Sequence, residues 1–200
     1  MGLLRKNRIM SVVLTTAVLC LAPITDAYAA TPTTGHRYIN GVGNVAVWLN
    51  YNSGVGYWST YITSGANNWM YPGWSNPIYM NFVSSNYGSN MDFHLNNDAY
   101  FDGGMNYYAG TEYYSGSGSQ IWSPPASNWA YAEVHINNNM FSLPSFTNAQ
   151  AQGTVRHEMG HAFGLAHWNS NPYSIMCETG SGRIVQSVQL PDNDAIKTLY

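Results

Sequence analysis

Apolar positions in this chain fall into short blocks separated by runs of Asn, Gly and Ser. Residues 45–49, Val-Ala-Val-Trp-Leu, are apolar and largely β-branched and predict a first strand. The Asn- and Gly-rich residues 50–56 break it. From 57 to 69 the apolar residues Tyr57, Tyr61, Ile62, Ala66 and Trp69 recur at helical spacing, which predicts a helix closed by Pro72-Gly73 and packed on the sheet. Residues 78–83 and 91–95 predict two more short strands across the turn-rich 84–90. Further on, Pro144 and Thr147 mark the start of a second helix, with Thr147 or Asn148 as its cap. On that helix Val155, Met159, Ala162 and Phe163 share one side, toward the core, while His157 and His161 fall on the other. Arg156 reads as solvated or paired with a carboxylate. A last helix opens at Pro191-Asp192-Asn193-Asp194 and runs to Tyr200.

The second helix carries the chemistry. His157 and His161 are four residues apart and so project from one face about a turn apart, within reach of one ion. Glu158 points to the side of that ion. A tetrahedral catalytic zinc takes three protein ligands and leaves one position open, and a straight helix cannot readily offer the third. Gly164 tolerates the left-handed conformation that ends helices, so the chain can turn there and bring His167 back to the metal. Three histidines and a carboxylate at this spacing predict zinc ligands His157, His161 and His167, with Glu158 as general base. A buried helix with merely hydrogen-bonded histidines accounts poorly for the same pattern.

The eleven residues 157–167 spell His-Glu-x-x-His-x-x-Gly-x-x-His, and the chain thereby resembles the metzincin clan of zinc endopeptidases. That resemblance implies a methionine turn beneath the zinc, a place Met176 would take. The order strand, helix, strand, strand resembles the matrixins within the clan. It implies that residues 101–104 form the loop before the edge strand, that 105–114 are this strand, and that 129–136 are the next one inward. The implied fold is α+β, a twisted mixed sheet of about five strands with two long helices and a cleft above a small C-terminal subdomain. In the family the edge strand borders the cleft and an extended peptide adds to it as a further strand. Matrixins also hold a structural zinc with three histidines and an aspartate. Here only His135 stands near a matching position, so no such site is expected, and His36 and His94 are read without a metal role. Asp98 and Asp102 lie in an Asn/Gly-rich loop and are candidate calcium ligands, with a solvated turn held by Asx hydrogen bonds as the alternative.

The N-terminus changes the compartment. Arg5, Lys6 and Arg8 precede an apolar run over 9–23 and a small-x-small pattern at Ala27-Tyr28-Ala29, which predicts an export signal over 1–29 and a secreted catalytic domain over 30–200. Without the signal, four basic residues face nine acidic ones, a net charge of −5 that speaks against nucleic acid as partner. Neither a membrane anchor nor a disulfide is expected in the remainder, where Cys177 is the single cysteine. The domain is read as a monomer, without a cysteine-switch propeptide. Residues 106–119, dense in Tyr, Gly and Ser, read as mobile loop ahead of a sugar-facing surface. Two departures from the family limit the resemblance: Trp168 after the third histidine leaves the subfamily open, and Cys177 after Met176, with no counterpart of the family's Pro-x-Tyr segment, prevents transfer of substrate preference. The rival function is a non-catalytic secreted module that keeps zinc for stability and binds cell wall or surfaces; the intact Glu158 argues against it.

Overall fold

The computed structural model describes residues 29–101 and 107–200. The expected signal at 1–29 lies outside the described residues apart from Ala29, as do Asp102 and the residues 102–106 around it. In chain order the elements are β1 (Val45–Leu49), α1 (Ser59–Met70), β2 (Met80–Val83), β3 (Met91–Asn96), β4 (Ala109–Tyr114), β5 (Gln120–Ile121), β6 (Tyr131–Asn137), α2 (Asn138–Phe141), α3 (Asn148–Ala162) and α4 (Leu190–Leu199). Short 3-10 turns at Tyr51–Ser53 and Val55–Trp58 precede α1. The predicted helix therefore starts two residues late, and Tyr57 points into solvent.

The strands form one six-stranded sheet in the order β2-β1-β3-β6-β4-β5. β1 runs parallel to β2 and β3, and β3 parallel to β6, whereas β4 is antiparallel to both β6 and β5. The sheet is thus mixed, with one strand beyond the expected five. The extra strand, β5, closes a tight hairpin in which Ser115 N–H donates to the Ser119 carbonyl at 2.9 Å. Part of the stretch read as mobile loop is therefore paired backbone. β5 covers only Tyr113 and Tyr114, so β4 is an edge strand along Ala109–Glu112 alone.

Alternation sorts the strand side chains onto two faces. Met91 and Phe93 of β3, Ala132, Val134 and Ile136 of β6, and Val45 and Val47 of β1 are buried on the inner face. Against them lie α1 and α3, with Trp69 and Phe163 meeting edge to face at 5.5 Å between ring centroids. Each such fully buried side chain contributes roughly 1.5–3 kcal/mol of burial free energy. Two indoles also finish the backbone of α3, since Trp69 Nε1 donates to the Arg156 carbonyl at 2.9 Å and Trp129 Nε1 to that of Ala162 at 3.1 Å. Arg156 is not solvated. It is buried, and its guanidinium donates to Ser64 Oγ at 2.8 Å and to the Gln186 carbonyl. Val155, Met159, Ala162 and Phe163 are all fully buried, as the helical spacing requires.

Candidate active site

The site is built on α3 and the turn that ends it. Thr147 caps the helix in a reciprocal box with Gln150, each side chain accepting from the other's backbone N–H. At the far end Gly164 takes φ +100°, Gly164 N–H bonds the His161 carbonyl at 2.8 Å, and Leu165 N–H reaches back to Gly160 at 2.9 Å. That paired closure is a Schellman motif, which any residue other than glycine would strain. The N-terminal segment then grips the outgoing chain: Thr34 N–H donates to the Gly164 carbonyl at 2.9 Å and Ala166 N–H to that of Pro32 at 2.8 Å. This positions His167. Gly160 serves a different purpose, leaving room for Met176 Sδ, which a Cβ there would displace. Met176 is fully buried against that gap, and its carbonyl accepts from Trp168 N–H at 2.9 Å.

The three imidazoles converge. The Nε2 atoms of His157, His161 and His167 lie 3.0–3.2 Å from one another. His157 Nδ1 meets the Ile175 carbonyl at 2.8 Å and His161 Nδ1 the Leu165 carbonyl at 2.9 Å. A carbonyl only accepts, so both rings carry their proton on Nδ1 and turn a bare Nε2 lone pair inward. Lone pairs 3.1 Å apart repel unless a cation sits among them. Zinc–nitrogen bonds of about 2.0–2.1 Å in tetrahedral geometry separate the nitrogens by roughly 3.3 Å, so the donor set fits zinc. Burial lowers the pKa of all three histidines, His157 most, which keeps them neutral and able to ligate.

Glu158 is buried beside them. Thr111 Oγ1 of β4 lies 2.8 Å from its Oε2 and 3.1 Å from its main-chain carbonyl. Burial pushes the carboxyl up to about 7, against the Thr111 contact, which favours the ionised form. The cleft in front measures about 770 Å³ and is lined by Ala109, Gly110 and Thr111 on one wall and by Thr179, Gly180 and Arg183 on the other.

Several residues at the site carried no signal in the sequence. Thr111 touches Glu158 across 47 positions, and nothing local to β4 marks it. Asp192, read only as a helix cap, also accepts from Thr31 Oγ1 and Ser174 Oγ at 2.6 Å each and from Ile175 N–H at 3.1 Å, tying the methionine turn to α4 and the N-terminal segment. Glu178 Oε1 stands 3.8 Å from His167 Nε2. Cys177 is a free, buried thiol whose Sγ lies against the carbonyls of Asn169 and Glu178. Asp98 is engaged by carboxamides, Asn137 Nδ2 and Asn139 Nδ2 each donating to it at 2.7 Å, and its expected companion Asp102 is outside the described residues.

With this geometry in place, the matrixin family model matches the chain over residues 67–200. The chain belongs to the matrixin family. The match takes in the last turn of α1, the whole sheet except β1, α3 and α4, and hence every side chain of the site except those on the N-terminal segment. Membership implies a zinc-dependent endopeptidase acting on peptide substrates, and the six-stranded sheet with helices on its inner face is the matrixin architecture. A search among curated proteins gave no match.

Proposed function

We propose that this matrixin is an exported endopeptidase in which His157, His161 and His167 hold one catalytic zinc and Glu158 is the general base. The observation that carries the reading is the set of converging Nε2 atoms, with the Nδ1 protons of His157 and His161 tied to backbone carbonyls, beside a buried carboxylate. Bound there, zinc supplies a Lewis acid that acidifies water and polarises a peptide carbonyl.

The chain's own residues do the rest. Glu158 Oε takes the proton from the attacking water and later returns it to the leaving amine; a carboxyl that burial has raised toward neutrality suits both halves of that exchange. Thr111 holds Oε2 in place by its hydroxyl. Met176 fills the space against Gly160, and Gly164 delivers His167. The open stretch Ala109–Glu112 of β4 offers unpaired main-chain groups along the cleft, so the substrate is an extended peptide that adds as an antiparallel strand. Residues 1–29 act as the export signal, and the domain works as a secreted monomer with neither nucleic acid nor membrane as partner.

Incubation with a mixed peptide library, read by mass spectrometry, tests the reading. Cleavage within peptides that stops with a chelator and returns with zinc is the expected result. Zinc-loaded protein that leaves every peptide intact overturns it and favours a zinc-stabilised binding module. The N-terminal residue of the exported protein, expected to be Ala30, tests the signal separately.

A further inference from the structure

The wall of the cleft opposite β4 holds a buried charge that no described carboxylate answers. Arg183 is 7 % exposed and, among the described residues, is the one arginine or lysine lining the cleft. Burial pushes its pKa down to about 10, so the guanidinium keeps its charge at neutral pH. Among the described residues no Asp or Glu stands at ion-pair distance from it. Its partners are all neutral: Nη1 donates to the carbonyls of Ile175 at 3.4 Å and Cys177 at 3.3 Å, and Nη2 to Thr154 Oγ1 at 3.4 Å and Thr179 Oγ1 at 3.0 Å. Nε is buried with no partner.

Taking a cation out of water costs several kcal/mol unless an opposite charge meets it. The two carboxylates that line the cleft are engaged elsewhere. Glu158 is held by Thr111 on the opposite wall, and Glu178 is held by the Asn169 carboxamide and stands 3.8 Å from His167 Nε2.

The Nη2 edge of the guanidinium is the one that meets the cleft. Both of its acceptors, Thr154 and Thr179, line the cavity, whereas Ile175 and Cys177, which take Nη1, are fully buried in the methionine turn. Gly153 makes room for this edge against α3, where a Cβ would stand 3.1 Å from Nη2. Each threonine hydroxyl accepts from Nη2 and gives its own proton to no described partner. Two O–H donors, polarised by the cation behind them, therefore converge on one part of the wall.

The place along the helix fixes which substrate residue they meet. Thr154 precedes His157 by three residues on α3, so it lies on the same face about one turn away, roughly 4.5 Å along the axis. An extended peptide advances about 3.3 Å per residue. With its scissile carbonyl at the three histidines, it brings an adjoining side chain level with Thr154.

We propose that Arg183, with the hydroxyls of Thr154 and Thr179, forms a subsite for the carboxylate of a substrate Asp or Glu directly flanking the scissile bond. This rests on the endopeptidase reading above and names its substrate class, acidic peptides. The carboxylate accepts from both hydroxyls and supplies the counter-charge that the fold withholds from Arg183. Asn and Gln have the same shapes without the charge, so they gain far less.

The test uses peptides that differ only by Glu or Gln, and by Asp or Asn, at each of the two positions flanking one cleaved bond, with zinc-loaded wild type. At one position the acidic member is expected to exceed its amide in kcat/KM by about tenfold or more. In Arg183→Gln that ratio should fall to within about threefold of unity, and in Thr179→Val it should drop by about threefold or more. An arginine that only braces the methionine turn would slow both members alike, so an unchanged ratio in folded Arg183→Gln overturns the proposal. A ratio under about threefold at both positions in wild type overturns it without any variant having to fold. Equal cleavage of the paired peptides removes the subsite alone, whereas no cleavage of any peptide removes the endopeptidase reading with it.

Discussion

The cleft and the outer sheet face each gather imidazoles and carboxylates, but they assemble them by opposite routes. In the cleft the donors come from eleven consecutive residues, placed by one helical turn and one glycine closure. On the outer face they come from β3, β4 and β6, spread between Asp92 and His135, and meet only because three strands pair in one register. Local geometry fixes the first cluster, and the whole sheet fixes the second. The cleft leaves room for a substrate and a carboxylate that is not a ligand, whereas the outer cluster is roofed by Tyr100 and surrounded by competing carboxylates. The first arrangement suits chemistry, whereas the second is a polar patch between paired strands.

The largest effect that sharpens this contrast is expected from Gly164→Ala. A Cβ there would stand 2.6 Å from the His36 carbonyl, on a backbone at φ +100°. Strain and clash together should cost about 2–4 kcal/mol in urea unfolding and lower cleft zinc affinity in the folded protein. A loss under about 0.5 kcal/mol would mean that the glycine closure does not place His167.

A middle-sized effect is expected from Thr111→Val, which keeps the shape of β4 and removes the hydroxyl against Glu158. kcat/KM should fall about tenfold, equivalent to about 1.4 kcal/mol, with zinc content unchanged. If zinc is lost instead, Thr111 supports the ligands rather than the base.

The smallest effect belongs to the outer face. With metal stripped by a chelator, Glu112→Gln should raise stability by a few tenths to about 1 kcal/mol, because one of three facing carboxylates, with Glu133 and Asp92, is neutralised. A variant less stable than wild type without metal would show that the hydroxyls of Tyr100 and Tyr114 on Glu112 outweigh the repulsion.

The same contrast explains what could be read in advance. Residues 157–167 declare a zinc site because helical spacing is a local property, and Thr147 and Gly164 delimit that helix by equally local rules. β1 and β3 were legible from their apolar runs. The stacking of His94 on His135 was not legible because the two lie 41 positions apart, and parallel pairing of β3 with β6 leaves no turn between them to signal register. Arg156 was misread for a related reason. A charged residue on a helix suggests a solvated face, but Ser64 and Gln186, which accept its hydrogen bonds, lie on distant parts of the chain. β5 escaped notice because two residues offer no alternation to read.

The central claim, that Glu158 is the base beside a zinc held by three histidines, is tested most directly by Glu158→Gln in zinc-loaded protein. Gln keeps the shape and the Thr111 contact but cannot take a proton. Cleavage of a fluorogenic peptide identified from the library should fall by about 10²–10⁴-fold while zinc content and the thermal midpoint stay at wild-type values. Cleavage within about tenfold of wild type, with zinc still bound, would contradict the account and assign the proton transfer to another group.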